Sequence, residues 1–231
     1  MTFERHIVFD AVRRMLGRGF TGSEVLSLDD AITAALRGSD CPTYDPAKPI
    51  TCRVALEIVN HEAIVPEAYK DSEGVWTWAA GVTDASGHGV LRYKDNPQSL
   101  ERCLEVSVWL MRTKYAPEVK AAFSRPLTEA QFAAALSFHY NTGAIGRADW
   151  VKSWNVGHDD VARQQIMNWK RPASIIERRG KERDLFFEGR WSQDGKATVY
   201  QVSKPSYCPK WSSAKRVDVS GILADLLKVP A

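Results

Sequence analysis

Apolar and polar positions divide the first fifty residues into two predicted helices and a linker. Residues 4–16 place apolar side chains at helical spacing, and "GRGF" then interrupts the pattern. The following "TGSE" has the form of a capping box, which predicts a second helix from Thr21 to about Arg37. The next stretch, "GSDCPTYDPAKP", is dense in Gly, Pro and Asp. We therefore expect an N-terminal helical pair over residues 1–40 and a linker over residues 41–49.

The spacing of apolar residues changes from helical to alternating near Tyr69. Residues 50–63 carry an apolar stripe that predicts a helix with Glu62 in its last turn. From Tyr69, aromatic and β-branched residues flank the short turn "SEG", a pattern typical of a β-hairpin. "VLRYK", residues 90–94, predicts a third strand.

Helical spacing returns after "NPQS" and dominates the rest of the chain. "TEAQ" is another capping box, which predicts the start of a strongly apolar helix that ends near "NTG". Residues 196–231 have a mixed pattern and end in the amphipathic segment "SGILADLLKV", so we expect a C-terminal extension packed on the main domain. The other predicted helical segments cover residues 99–114, a stretch from Pro117, residues 158–169 and residues 173–188. The fold class is therefore predicted to be α+β, with a small antiparallel β-hairpin lobe, a larger helical lobe and an N-terminal helical pair.

Composition and charge exclude several classes of protein. The chain has 231 residues, enough for one domain with a good core and a smaller appended unit. Its net charge of +3 is too small to indicate binding to nucleic acid. A run of about 18 apolar residues, which a membrane span needs, does not occur in the sequence. Glu4, Arg5 and Asp10 interrupt any signal-peptide core, so we expect a cytoplasmic start and no membrane insertion.

The cysteines do not have the spacing of a metal site, and no metal is expected. We expect reduced thiols in a cytoplasmic product, with a Cys41–Cys52 disulfide after release as the alternative. The four are Cys41, Cys52, Cys103 and Cys208.

Glu62, Asp71 and Thr77 are the candidate chemical groups, because they stand in an otherwise apolar and aromatic stretch. Glu62 is predicted at a helix end, and Asp71 and Thr77 on facing strands of the hairpin, where alternation places them on one face. Two carboxylates and a hydroxyl at the mouth of a cleft suit glycosidic hydrolysis, in which one carboxyl donates a proton and the other assists water. Solvated surface residues are the alternative interpretation.

The spacing Glu62-x8-Asp71-x5-Thr77 resembles the catalytic motif of the phage-type lysozymes, the endolysins of glycoside hydrolase family 24. "EAIVPEAYKDSEGVWT" is similar to the family's E-G-x-R-x-x-A-Y-x-D-x-x-G-x-x-T. Downstream, "ALSFHYNTGAIG" and "RRGKERDLFFEG" resemble the family's later helices, in the same order. The resemblance covers roughly residues 50–190.

This resemblance implies a lysozyme-like fold, with residues 50–195 as the catalytic domain and no cofactor. It implies a muramidase that cleaves the β-1,4 bond between N-acetylmuramic acid and N-acetylglucosamine in peptidoglycan. Glu62 matches the general acid, Asp71 the carboxylate that assists the water, and Thr77 the residue that places the water. Enzymes of this type are thought to invert the anomeric centre, for which carboxyl groups roughly 6.5–9.5 Å apart are expected.

One strand departs from the family pattern. The family often continues after the threonine with I-G-x-G-H-T, whereas this chain reads "WAAGVT". Val82 stands where a histidine is common and Ala79 where a glycine is common. His88 is either a replacement in related space or an exposed loop residue.

Further residues are candidates for binding the substrate. Tyr69 and Trp78 either stack on sugar rings or pack in the core. Asn141 either hydrogen-bonds the substrate or ends its helix. Arg178, Arg179 and Glu182 have the spacing of a structural ion-pair set, and His139 is expected in the core.

Together these features predict a monomeric endolysin that lyses the host. It would stay in the host cytoplasm until a separate holin releases it to the periplasm and cell wall. The alternatives are a virion-associated lysozyme, a non-catalytic peptidoglycan-binding module and a lytic transglycosylase, which also uses a glutamate at a helix end. Residues 1–40 are either a wall-binding unit or a packing extension.

Overall fold

The computed structural model describes residues 5–20, 24, 25, 28 and 45–228, and the chain forms two compact units, Met1–Asp45 and Pro46–Ala231. In the first unit, helix α1 covers Arg5–Leu16, in agreement with the sequence pattern. Gly17 follows with a φ of 65°, and its N–H donates to the carbonyl of Arg13, which ends the helix. The predicted second helix, the capping box that opens it, and Cys41 lie almost wholly outside the described residues.

The second unit contains one small sheet and a larger set of helices, which confirms the predicted α+β class. Its strands are β1 (Ala63–Lys70), β2 (Trp76–Ala79), β3 (Val82–Thr83), β4 (Lys196–Ser203) and β5 (Cys208–Asp218). Its α-helices are α2 (Cys52–His61), α3 (Leu100–Leu110), α4 (Ala116–Ala122), α5 (Glu129–Thr142), α6 (Asp149–Asn155), α7 (Asp159–Gln165), α8 (Ile176–Glu188) and α9 (Ser220–Lys228). Short 3-10 turns cover Asp84–Ser86, Leu91–Tyr93, Ile145–Arg147, Ile166–Asn168 and Ala173–Ile175, and a π-helical turn, Met111–Tyr115, joins α3 to α4.

The sheet has the strand order β3-β2-β1-β4-β5. β1 and β2 form the predicted antiparallel hairpin, in which Tyr69 lies opposite Thr77. The predicted third strand at residues 90–94 is wrong, because Leu91–Tyr93 form a 3-10 turn and Val82–Thr83 form the third strand instead. The Tyr93 ring stacks on Trp78 at 3.8 Å between centroids, and this tertiary contact favours the turn over a strand.

The C-terminal residues add two strands that the sequence pattern did not predict. β4 pairs in parallel with β1, through Ala63 opposite Thr198 and Ile64 opposite Val199, and β5 closes an antiparallel hairpin with β4. β5 is the sheet edge and is exposed along most of its length, so it lacks the apolar alternation by which a half-buried strand is recognised. The predicted amphipathic segment at the end is confirmed as α9.

The helical lobe is built around α5, whose residues from Phe132 to His139 are buried. α5 packs against α2 and α8, the helices on which Glu62 and Arg178 depend for their positions. The helix α6 was not predicted, and the segments at 158–169 and 173–188 begin or end with a 3-10 turn. Cys52, Cys103 and Cys208 carry free thiols.

The predicted capping box of α5 is present. Thr128 Oγ1 accepts a hydrogen bond from the Gln131 N–H at 3.3 Å, and Gln131 Oε1 accepts one from the Thr128 N–H at 3.0 Å. Thr128→Ala is therefore expected to lower the free energy of unfolding by about 0.5–2 kcal/mol, measured by urea denaturation. Thr113→Ala, at an exposed threonine outside any cap, serves as the control and is expected to change it by less than about 0.5 kcal/mol. Equal effects of the two substitutions would contradict a capping role.

Candidate active site

Glu62 lies at the junction between α2 and β1. Its backbone is extended, with φ −102° and ψ 147°, and its N–H donates to the carbonyl of Val59, so the helix ends at His61. The prediction that Glu62 lies in the last turn of a helix over residues 50–63 is therefore wrong, because β1 already begins at Ala63. The Glu62 side chain is 17% exposed, which leaves part of the carboxyl accessible at the surface of the junction. The chain therefore folds so that a carboxyl group stands where the helical lobe meets the sheet.

One oxygen of Glu62 is held by Arg178 of α8. Arg178 Nη1 donates to Glu62 Oε1 at 2.5 Å. Burial by itself lowers the pKa of Arg178, but the carboxylates of Glu62 and Glu182 outweigh it and raise that pKa above its ordinary value. Arg178 is therefore a permanent cation that orients Glu62. Sequence reasoning assigned Arg178 to an ion-pair set on its own helix and missed this contact, because the partners are 116 residues apart.

The other oxygen of Glu62 faces Gly81, in the turn between β2 and β3. A Cβ atom on Gly81 would lie 3.5 Å from Glu62 Oε2 and 3.9 Å from Tyr140 Cε1. The φ of Gly81 is +77°, a conformation that favours glycine. Within the described part of the chain, Oε2 accepts no hydrogen bond. Glu62 therefore has one fixed oxygen and one oxygen that remains available to a ligand.

Asp71, in the turn that follows β1, and Thr77 of β2 are brought together at the turn end of the β1–β2 hairpin. Asp71 Oδ1 accepts from the backbone N–H groups of Glu73 and Val75, each at 2.9 Å, which fixes the carboxylate in a tight turn. Thr77 Oγ1 lies 3.4 Å from Asp71 Oδ2 and 3.1 Å from the carbonyl of Val75. The two side chains therefore share one face of the hairpin, as alternation along the strands predicts.

The negative charge of Glu62 raises the pKa of three tyrosines, of which Tyr69 is the first. Burial raises the pKa of the Tyr69 hydroxyl, and the charges of Glu62 and Asp71 raise it further. Tyr69 itself lies opposite Thr77 in the hairpin and two residues before Asp71. The pKa values of Tyr115 and Tyr140 are also raised by burial first and by Glu62 second. All three hydroxyls therefore stay protonated near neutral pH and can donate a hydrogen bond.

Trp78 is part of the core and not of this site. Its side chain is 0% exposed, and its Nε1 donates to the carbonyl of Pro66 at 2.8 Å. One face of its ring stacks on Tyr93, and because the whole side chain is buried no face is open to a sugar. The structure therefore removes Trp78 from the predicted substrate-binding residues, because a fully buried ring cannot stack on a ligand.

The remaining candidates have identifiable contacts. Asn141 is exposed at the end of α5, and its Oδ1 accepts from Arg179 Nη2 at 2.8 Å. His88 lies beside the Trp78–Tyr93 stack, and its Nε2 is 2.9 Å from the Tyr93 hydroxyl. Burial, followed by Arg92 and Arg102, lowers the pKa of His88. His139 is buried, as predicted, with its Nε2 2.8 Å from Glu118 Oε2.

Behind Arg178 lies a buried ion-pair cluster. Glu182 Oε1 accepts from Arg178 Nε at 3.0 Å and from the Ser137 hydroxyl at 2.7 Å. The other oxygen of Glu182 accepts from Arg179, which also donates through Nε to the carbonyl of Trp169 at 3.0 Å. The cluster connects α8 to α5 and thereby holds the cation that orients Glu62.

Metal-binding clusters and membrane-spanning helices are both absent from the described part of the chain. Among these residues, no group of three or more His, Cys, Asp or Glu side chains could hold a metal ion. None of the helices formed by the described residues is long and apolar enough to cross a membrane.

Comparison with known proteins matches this site to one family. A sequence model described as "Phage lysozyme" matches residues 59–182, which include Glu62, Asp71, Thr77 and Arg178. A search of curated proteins finds no match.

Solved structures are similar to this chain over about three fifths of its length. The endolysin from Escherichia coli O157:H7 phage FAHEc1 is 22% identical, with a TM-score of 0.54 over 61% of this chain and 95% of that chain. A P22 lysozyme variant is 22% identical, with a TM-score of 0.49 over 59% of this chain and 97% of that chain. The muramidase domain of SpmX from Asticaccaulis excentricus is 25% identical, with a TM-score of 0.47 over 58% of this chain and 95% of that chain. Because the family match spans more than half of its residues, the chain belongs to the phage lysozyme family and is a glycoside hydrolase.

Proposed function

We propose that this lysozyme cleaves the β-1,4 bond between N-acetylmuramic acid and N-acetylglucosamine in bacterial peptidoglycan, with Glu62 as the general acid. The observation that carries the proposal is the asymmetry of the Glu62 carboxyl. Arg178 holds Oε1 at 2.5 Å, while Oε2 faces the space beside Gly81. A positioned oxygen that is free to approach the leaving group is what general acid catalysis requires.

In this mechanism Glu62 Oε2 gives its proton to the glycosidic oxygen as the bond to the anomeric carbon breaks. A water molecule attacks the anomeric carbon from the opposite face of the sugar and passes a proton to Asp71, so the configuration inverts. The backbone N–H groups of Glu73 and Val75 hold Asp71 in place for this step.

Thr77 is proposed to orient the attacking water. Its hydroxyl has a single proton, and the carbonyl of Val75, at 3.1 Å, is its nearer acceptor. When the proton points to Val75, the lone pairs of Thr77 Oγ1 can accept a hydrogen bond from the water. The same water can then donate its second proton to Asp71 Oδ2, which lies 3.4 Å from Thr77 Oγ1.

Tyr69 and Asn141 are the remaining candidates for holding the substrate. Tyr69 lies opposite Thr77 and two residues before Asp71, and its hydroxyl is proposed to meet a sugar hydroxyl beside them. Asn141 is exposed and its carbonyl oxygen is fixed by Arg179, so its amide nitrogen is presented in one orientation.

The biological role that fits this activity is that of a monomeric endolysin that lyses the bacterial host. We propose that it remains in the host cytoplasm until a separate holin lets it reach the wall. Membership of the phage lysozyme family supports this role.

Product analysis tests the reaction. Purified protein is incubated with isolated peptidoglycan, the released ends are identified by mass spectrometry, and the first anomer formed is followed by NMR. We expect hydrated reducing N-acetylmuramic acid ends that appear first as the α-anomer, because inversion of a β bond yields α. First formation of the β-anomer would contradict inversion. Anhydro ends would instead identify a lytic transglycosylase.

A further inference from the structure

An exposed tryptophan stands on the C-terminal hairpin, outside the residues that match the family. The match ends at residue 182, whereas β4 and β5 cover residues 196–218. Trp211 of β5 is 67% exposed. Single exposed apolar residues are common on proteins, so the local structure around Trp211 decides whether it has a role.

The strand that carries Trp211 is distorted at this point. Val199 pairs with Lys215 and Gln201 pairs with Lys210, so the single residue Tyr200 of β4 faces four residues of β5, from Trp211 to Ala214. Bulges of this kind re-aim side chains and often lie beside functional sites. Here the extra residues include Trp211, which lies at the sheet edge.

Side-chain contacts fix the bulge. Ser213 Oγ accepts from the Gln201 N–H at 2.8 Å and donates to the carbonyl of Lys210 at 2.6 Å. The Tyr200 ring meets the Trp211 ring edge-on, at 5.2 Å between centroids and 80° between planes. An edge-on neighbour supports the indole without covering both of its faces. The indole is therefore held in place while it remains exposed to solvent.

The C-terminal hairpin, β4 and β5, lies beside β1, the strand that connects Glu62 to Asp71. β4 pairs with β1 at Ala63 and Ile64, the residues directly after Glu62. At the other end of β1, the N–H of Lys70, the residue before Asp71, donates to the carbonyl of Tyr207 at 2.7 Å. The hairpin therefore runs beside β1 along the distance from Glu62 to Asp71, and its bulge lies between these two points of contact.

Exposed lysines stand on either side of Trp211 along β5. Lys210 and Lys215 pair with the residues that flank Tyr200 on β4, and both are exposed. Arg216 is nearby and pairs with Asp194, and β5 carries an acidic residue only at its last position, Asp218. The flat apolar ring thus lies in positively charged surroundings, which favour an anionic ligand with an apolar face.

We propose that the hairpin surface, which comprises Tyr200, Lys210, Trp211 and Lys215, binds the peptidoglycan glycan strand outside the catalytic cleft. The C–H faces of a sugar ring pack on an indole, and the carboxylates of the wall polymer attract the two lysines. This inference rests on the proposed function, because the bound polymer is the one that the cleft cleaves. The hairpin then holds the insoluble polymer beside β1 while the cleft cleaves one bond in it.

Cosedimentation with insoluble peptidoglycan tests the proposal without turnover. All variants are made in a Glu62→Gln background, so binding is measured even if the proposed reaction is wrong. Trp211→Ala is expected to raise the Kd about tenfold, as the loss of an aromatic anchor does. Trp211→Phe, which keeps an aromatic face, should restore part of the affinity. Trp109→Ala is the matched control, because Trp109 is also half exposed, at 50%, but lies on α3.

A Kd for Trp211→Ala equal to that of Trp109→Ala would overturn the proposal. A second measurement uses vesicles that contain anionic lipid, since exposed tryptophan and lysine also suit a membrane surface. Loss of vesicle binding in Trp211→Ala with unchanged peptidoglycan binding would likewise overturn it. Thermal unfolding of each variant checks that a loss of binding does not come from unfolding.

Discussion

Glu62→Gln is expected to reduce the rate of peptidoglycan hydrolysis by about 10²–10⁴-fold, the usual contribution of a general acid. Glutamine keeps the size of the side chain and can still accept the hydrogen bond from Arg178 Nη1, but it has no proton to give to the leaving oxygen. Arg178 also retains Glu182 as a charged partner at 3.0 Å, so the variant is expected to fold. Release of reducing ends from isolated peptidoglycan measures the rate, and circular dichroism checks the fold.

Glu67→Gln is the matched control for this measurement. Glu67 lies on β1, its side chain is about as buried as that of Glu62, and it is also paired with a cation, Lys204. It makes its contacts with Lys204 and Asp95, away from Arg178. Its variant should keep activity within about twofold of wild type. If both variants lost activity equally, the loss would reflect general disturbance of the sheet, and the role of Glu62 as acid would fail.

Glu182→Gln is expected to lower the free energy of unfolding by about 3–5 kcal/mol, the cost of leaving a buried charge without its partner. Glu182 is fully buried and accepts from both Arg178 and Arg179. Arg179 is also fully buried, with its guanidinium 4.6 Å from the centroid of the Phe138 ring. Without the carboxylate, its charge remains among apolar groups with neutral acceptors only.

Thermal and urea unfolding measure this effect. For a chain of this size a loss of 3–5 kcal/mol corresponds to a fall in Tm of roughly 6–20 °C. Glu177→Gln on the same helix is the control, because Glu177 is 81% exposed and its ion pair with Lys181 lies at the surface. Exposed pairs contribute about 0–1 kcal/mol. Equal destabilisation by the two substitutions would show that the buried cluster does not support the fold.

The two predictions are linked through Arg178. Glu182 and Glu62 hold this guanidinium from opposite sides, and Arg178 in turn donates to the carbonyl of Ser137 at 3.1 Å. Glu182→Gln should therefore also reduce activity at temperatures where the variant is folded, because Arg178 can then shift and release Glu62. The same cluster thus stabilises the helical lobe and positions the proposed acid.

Local patterns in the sequence were sufficient for the elements that depend on neighbouring residues. The capping box at Thr128 and the hairpin that joins Asp71 to Thr77 could be predicted, and so could the helix before Glu62, although it was predicted to run two residues too far, to residue 63. Each rests on hydrogen bonds or side-chain spacing within a few residues, which the order of amino acids specifies directly. The family resemblance of residues 50–190 rests on the same short-range spacings, and the match over residues 59–182 agrees with it.

Other features depend on which distant segments pack together, and no local pattern encodes that choice. The contact between Arg178 and Glu62 joins residues 116 positions apart. Trp78 could have faced a ligand or the core, and the stack with Tyr93 decides for the core. The pairing of β4 with β1 places Trp211 in the same sheet as β1, the strand that joins Glu62 to Asp71. The sequence did not predict this, because β5 shows no apolar alternation. The spacing of its residues thus selected the candidate chemical groups of this lysozyme. Long-range packing determined how each candidate group is held, because burial and charge pairing arise only when distant segments meet.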